Sequence, residues 1–221
     1  MFLKFGAVRF TIVGEAAMSI MQLNGGAVMA MAGKECFVII SDHRLGEQFK
    51  TISMNVSKLH VVNDRCVIGL TGLRTDQLTF GAKLKYELEM YKLREEREIP
   101  GKALCALISN MLYEHRFGPY FTEPVMATLQ ADGSVYLCAT DLIGAPCEPA
   151  DYVVGGTCSE SLHGMCEALW QPDLGPEELF EVAAQAMLSA VDRDCLSGFG
   201  ATAYIVTKEQ VVKRELKGRK D

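Results

Sequence analysis

Residues 24–46 read NGGAVMAMAGKECFVIISDHRLG, with two short apolar runs, 27–31 and 36–40, separated by Ala32, Gly33 and Lys34. Small, β-branched and apolar residues bounded by glycine-bearing breaks predict a hairpin of two buried strands. The second run passes directly into Asp42, His43 and Arg44. Polar groups at the end of a core strand either satisfy a turn or face a site. The first run begins at Gly25 and Gly26, where a strand carrying a nucleophile would need a side chain.

Around this hairpin the chain has 221 residues, 49% hydrophobic and 23% charged, enough for one sizeable core. No Pro/Ser/Gly-rich linker interrupts it, so a single domain is expected over 18–221, with 1–17 read as an N-terminal extension ahead of Met18. The formal charge of −6, with basic residues gathered only in the tail 213–220, argues against nucleic acid as a partner. No apolar run reaches the roughly 18 residues of a membrane span. The 8 cysteines are scattered without a C-x-x-C pair, mostly inside apolar runs, and read as reduced core residues. None of the 4 histidines stands at ligand spacing to a cysteine pair, so no metal site of the zinc type is expected.

Further along, residues 51–57 read as a short extended or loop segment. Runs 59–62 and 66–70 flank Asn63, Asp64 and Arg65, a second hairpin with an Asn/Asp turn. Leu78, Leu84, Leu88 and Tyr91 mark a helix face from about 75 to 98. A second amphipathic helix follows from Leu104, Leu107, Ile108, Met111 and Leu112. Strands at 125–130 and 134–140 flank Asp132-Gly133, a hairpin signal, and another short strand is expected at 152–154. Thr157-x-x-Glu160 predicts a capping box opening a third helix with the stripe Leu162, Met165, Cys166 and Leu169. Pro176, Glu177 and Glu178 open a fourth, and a hairpin of 201–206 and 211–216 closes the chain. Segregated runs of strands and helices predict stacked layers, an α+β protein.

The first hairpin resembles that of proteasome beta-type subunits, which are N-terminal-nucleophile hydrolases. The stretches FGPYFTEPV, DLIGAP, GTCSESLHGMCEALW and DRDCLSGFG extend the resemblance over residues 18–221, with wording similar to the non-catalytic beta-3 type. The resemblance implies a four-layer αββα sandwich of two antiparallel sheets covered by helices. It also implies a structural place in the beta ring of the 20S core, beside other beta subunits of the same and opposing ring and against alpha subunits. Cytoplasm and nucleus are the implied locations, ubiquitin-dependent protein degradation the implied process, and no cofactor is required.

Catalytic members of that family begin with a threonine whose hydroxyl attacks the peptide carbonyl while its own amine serves as base. Counting back from Asp42-x-Arg44 places this position on Gly26, which has neither hydroxyl nor thiol. The family's supporting positions fall on Asp42, Lys58, Asp194 and Ser197, with Ser159 a looser match. One reading is an active hydrolase using another nucleophile. The preferred reading is structural: Lys58 neutralises Asp42 and the 194–197 loop is held by its own hydrogen bonds, because a buried charge without its partner is costly. Cys36 is expected mid-strand, Ser41 lacks an arguable histidine partner, and His43 is expected to point away from Asp42. Gly155-Gly156 before a helix lacks the remainder of a phosphate loop. The resemblance further implies that the loop around Cys138 and Asp141 lines a neighbouring catalytic subunit's pocket, and allows a structural cation on backbone oxygens between Asp194 and Ser197.

Overall fold

The opening hairpin forms as the pattern predicts. A computed structural model describes residues 19–220; the expected extension at 1–17 lies outside them. Strands β1 (Ala27–Gly33) and β2 (Cys36–Asp42) pair antiparallel, Val28 opposite Ser41 and Gly33 opposite Cys36. Both are apolar almost throughout because both faces are covered. Ala27, Met29 and Met31 point to one layer, while Val28 and Ala30 point to the other, as the two-residue strand period requires.

The remaining strands are β3 (Leu45–Glu47), β4 (Lys50–Ser53), β5 (Leu59–Asn63), β6 (Cys66–Gly72), β7 (Thr122–Leu129) and β8 (Val135–Thr140). After them come β9 (Pro146–Cys147), β10 (Tyr152–Gly156), β11 (Ala201–Thr207) and β12 (Val211–Leu216). One 5-stranded sheet has the order β10-β1-β2-β11-β12 and the other β5-β6-β7-β8-β9, with β3 and β4 forming a separate ribbon. The pairings are antiparallel. Helices α1 (Arg74–Glu95) and α2 (Gly101–Tyr113) cover the second sheet, with Phe80, Leu84, Leu104 and Ile108 against Ile68, Leu70 and Met126. Helices α3 (Ser159–Leu169) and α4 (Pro176–Val191) cover the first, Leu162, Cys166, Leu179 and Met187 lying on Met29, Val38 and Ile40. Between the sheets Phe37 and Ile39 meet Val67, Val125, Ala127 and Leu137. Each of these side chains larger than Ala127 contributes about 1.5–3 kcal/mol by leaving water. The result is the helix–sheet–sheet–helix sandwich.

The extended part of the segment 51–57 is β4, which pairs with β3 in a ribbon the sequence did not single out. The structure corrects three local readings. Leu78 is 54% exposed, and the inward face of α1 is Gln77, Phe80 and Leu84; apolar Leu78, Tyr86 and Leu93 stand on its outer side, so the period does not single out one face. Cys36 opens β2 and is not mid-strand. Thr157 does not cap α3: the N-cap position is Cys158 and no side chain fills it, because the Thr157 hydroxyl is engaged elsewhere.

Candidate functional site

Gly26 stands immediately before β1 with φ +129°, and a Cβ built there would lie 2.6 Å from Lys58 Cε and 3.3 Å from Nζ. The room for a side chain is already filled by the lysine stem. Gly25, at φ +67°, packs so closely on the carbonyl of Leu196 that a Cβ would overlap its oxygen. Glycine alone tolerates both the dihedral and the approach.

Asp42, at the end of β2, and Lys58, just ahead of β5, meet beneath Gly26. Lys58 Nζ donates to Asp42 Oδ1 at 2.6 Å, to the Arg44 carbonyl at 2.8 Å and to the Asp42 carbonyl at 3.2 Å. The carboxylate also accepts from the Ala27 N–H at 2.9 Å, the Gly198 N–H at 3.1 Å and the Arg44 N–H at 3.3 Å. The two side chains are 1% and 0% exposed. Burial pulls the Lys58 pKa below its ordinary 10.5 while the Asp42 charge opposes the pull. Every donor and acceptor at the centre of this pair thus has a partner, the condition under which buried ions are tolerated. Buried Arg44 ties the surroundings together, donating to the carbonyls of Leu196 and Gln48 and to the Thr51 hydroxyl.

The 194–197 loop closes the site from the other side. Asp194 accepts from the Ser197 hydroxyl at 2.6 Å, the Thr157 hydroxyl at 2.7 Å and the Leu196 N–H at 3.0 Å. The Thr157 N–H donates to the Gly26 carbonyl at 2.9 Å. Thr157 is therefore the hydroxyl that links Asp194 to the hairpin, where the sequence pointed to Ser159, which opens α3 instead. Asp194→Ala is expected to destabilise the fold by about 1–3 kcal/mol by orphaning these donors, read as a lower denaturant midpoint at unchanged slope.

Neither of the alternative nucleophiles weighed from the sequence, Cys36 and Ser41, has a base beside it among the described residues. Burial pushes the Cys36 thiol up to about 11, so it is protonated at neutral pH. The Ser41 hydroxyl is buried with no hydrogen-bond partner, and His43 Nε2 pairs with the Thr202 hydroxyl at 2.6 Å, not with Asp42. Burial lowers the His43 pKa below its ordinary 6.5, against the pull of Asp42, and does the same to His60. As pH falls the unfolded chain then takes up protons first, so stability declines below about 6.5 until the folded-state pKa is reached. His43→Gln is expected to flatten part of that decline in a pH series of denaturant midpoints; an unchanged slope would contradict it.

Of the two residues expected near a neighbour's pocket, Cys138 is buried beneath α2 with its Sγ 2.7 Å from that of Cys105, and presents no side chain outward. Asp141 is exposed, its Oδ1 accepting from the N–H groups of Ile143 and Ala145 and shaping the loop. For a cation between Asp194 and Ser197, the Leu196 carbonyl is already taken by the Arg44 guanidinium at 3.0 Å, and a fixed positive charge there does not suit a metal. Among the described residues no group of three or more His, Cys, Asp or Glu is placed to hold a metal ion, and no helix is long and apolar enough to cross a membrane.

The family model described as proteasome subunit matches residues 23–206. A protein named proteasome subunit beta type-3 from Trypanosoma brucei brucei is 71% identical over 92% of this chain and 100% of its own length. The protein of that name from Drosophila melanogaster is 51% identical over the same shares, 92% and 100%, and proteasome subunit beta type-3-A from Arabidopsis thaliana is 50% identical, again over 92% and 100%. A family match across most of the chain, with relatives covered end to end, shows that the chain belongs to the proteasome subunit family.

Proposed function

We propose that this chain is a non-catalytic, structural subunit of the beta ring of the 20S proteasome core, acting in ubiquitin-dependent protein degradation in the cytoplasm and nucleus. One observation carries the reading: at the nucleophile position stands Gly26, whose side-chain space is occupied by Lys58. Glycine there supplies no hydroxyl, and without one the chain cannot cut its own bond after Gly25 to free an amine base. The names of the relatives, beta type-3 from kinetoplastid to plant, support the same placement. Its partners are then other beta subunits of its own and the opposing ring, and alpha subunits. No cofactor is needed for this role. A structural cation near Asp194 and Ser197 would have to use oxygens other than the Leu196 carbonyl. The loop bearing Asp141 is the part of the expected pocket-lining region that faces outward.

Exposed apolar side chains fit surfaces completed by neighbours: Phe49, Ile52 and Met54 on and beside the β3–β4 ribbon, and Phe117, which is 98% exposed. The isolated chain is accordingly expected to aggregate. Native mass spectrometry is expected to find it only within a large particle, with residues 22–24 retained and no covalent label from an epoxyketone or boronate directed at threonine nucleophiles. A monodisperse monomer that unfolds cooperatively would count against the ring assignment. An N-terminus at Gly26, or a labelled subunit, would overturn the non-catalytic one.

A further inference from the structure

Helix α2 is seated on β8 through two sulfurs. Cys105 and Cys138 are 3% and 2% exposed, both are free thiols, and their Sγ atoms are 2.7 Å apart. A bond between them, roughly 2.05 Å long, needs an approach of less than about 1 Å. The surroundings differ from those of an inert core cysteine. The strand period puts Tyr136, Cys138 and Thr140 on the face of β8 turned to α2, while Val135, Leu137 and Ala139 fill the space between the sheets. Tyr136 reaches the start of α2, its Cδ1 2.8 Å from the place a Cβ would take on Gly101. The Tyr136 and Thr140 hydroxyls are buried without a hydrogen-bond partner, two of the three such side-chain atoms among the described residues. Burial, with Cys105 and Glu148 beside it, pushes the Tyr136 phenol above its ordinary 10.0, so it keeps its proton. Orphaned hydroxyls in a core are costly, and here two donors flank one cysteine with nothing to accept from them.

We propose that Cys105 and Cys138 are a redox site, which a hydroperoxide closes into a disulfide that staples α2 to β8. With hydrogen peroxide, the Cys138 sulfur attacks one oxygen and the O–O bond breaks, giving a sulfenic acid and one water. The Cys105 sulfur then attacks the Cys138 sulfur. The S–S bond forms, the S–O bond breaks, and the hydroxyl leaves with the last thiol proton as a second water. Each sulfur loses one electron and the peroxide takes both. The hydroxyls of Tyr136 and Thr140 are the donors that an oxygen on Cys138 needs in a dry site. Burial holds the Cys138 thiol above its ordinary 9.0, so the resting site is protonated and answers sustained oxidation, not a brief pulse.

The staple acts on the loop that bears Asp141. Ser109, one helical turn beyond Cys105, donates to the Gly144 carbonyl, and a Cβ on Gly144 would overlap the Ser109 carbonyl oxygen. The loop leaves β8 directly after Thr140, so joining α2 to β8 fixes it from both sides. The dithiol lies in this chain's own core and does not depend on its place in a ring.

The test uses the native particle, reduced and then exposed to hydrogen peroxide. It is quenched in acid, its remaining thiols are blocked with N-ethylmaleimide, and the digest is read by mass spectrometry. A peptide pair joined through Cys105 and Cys138 is expected, lost again on treatment with dithiothreitol, and hydrogen exchange at the Gly144 and Ala145 amides should slow on oxidation. In Cys105→Ala the second step is impossible, so dimedone should capture the Cys138 sulfenic acid and the loop should not respond to peroxide. Tyr136→Phe is expected to slow closure about tenfold, the effect of one hydrogen bond lost from the transition state; an unchanged rate would overturn the part given to that hydroxyl. Recovery of Cys105 and Cys138 as blocked thiols from unmodified particles in which the exposed Cys147 and Cys195 are oxidised would overturn the site, and needs no variant to assemble.

Discussion

Lys58→Ala is expected to cost the fold about 3–5 kcal/mol, the range for removing one partner of a buried ion pair. The carboxylate of Asp42 would remain fully buried, and the carbonyls of Asp42 and Arg44 would lose the donor they share. A void would also open beside Gly26, where the lysine stem now packs. At about 1.4 kcal/mol per decade, the folded-to-unfolded ratio falls by roughly two to three and a half decades, so the variant should be scarce in assembled particles. Lys58→Met separates the causes, because it keeps most of the stem and removes the charge. Asp42→Asn combined with Lys58→Met should recover part of the loss, since replacing both partners relieves the desolvation that one alone leaves. The measurements are incorporation into the native particle and, for any chain recovered, the denaturant midpoint. Turnover per assembled particle should be unchanged. Normal assembly with peptidase activity lost would reverse the reading and make this pair catalytic.

What could be read from the sequence was the part governed by local chemistry. The runs of small and apolar residues before Asp42 predict a hairpin because both its faces are covered, and the Asp132-Gly133 turn and the Pro176 helix start rest on neighbours within a few residues. Of the readings that failed, that of the third helix's start was decided at long range. Thr157 and Glu160 have the spacing of a capping box, yet the hydroxyl bonds Asp194, far along the chain. The β3–β4 ribbon is only a few residues per strand and mixes polar with apolar positions, so no period stands out. Gln77 is buried in place of Leu78 because its amide reaches back to the Gly72 carbonyl. The site itself had no local signature. Asp42 and Lys58 became a pair only through resemblance, and nothing near Asn24 in sequence announces that its partners are Gly46 and Arg74.

Gly26→Thr is expected to restore the missing hydroxyl without restoring any chemistry. A threonine nucleophile needs a free amine as its base, and residue 26 is an internal residue whose upstream neighbours are fixed by Gly46, Gln48 and Arg74. Freeing that amine requires the new hydroxyl to attack the preceding carbonyl, in a backbone held at φ +129° with Lys58 Cε 2.6 Å from the incoming Cβ. The side chain would have to displace the lysine that neutralises Asp42 before it could reach anything. Overpacking of this kind costs about 1–3 kcal/mol, and a β-branched residue at such a dihedral adds roughly 1–3 kcal/mol more. Gly26→Ala carries the same Cβ clash without a hydroxyl or a β-branch and should show most of the loss, which identifies that share as steric. Intact mass should find no cleavage between residues 25 and 26, and a fluorogenic peptide assay should find no activity from this subunit. A threonine variant that trims itself and gains peptidase activity would show that the hydroxyl was the only missing part, and that neither Lys58 nor the upstream segment stands in the way.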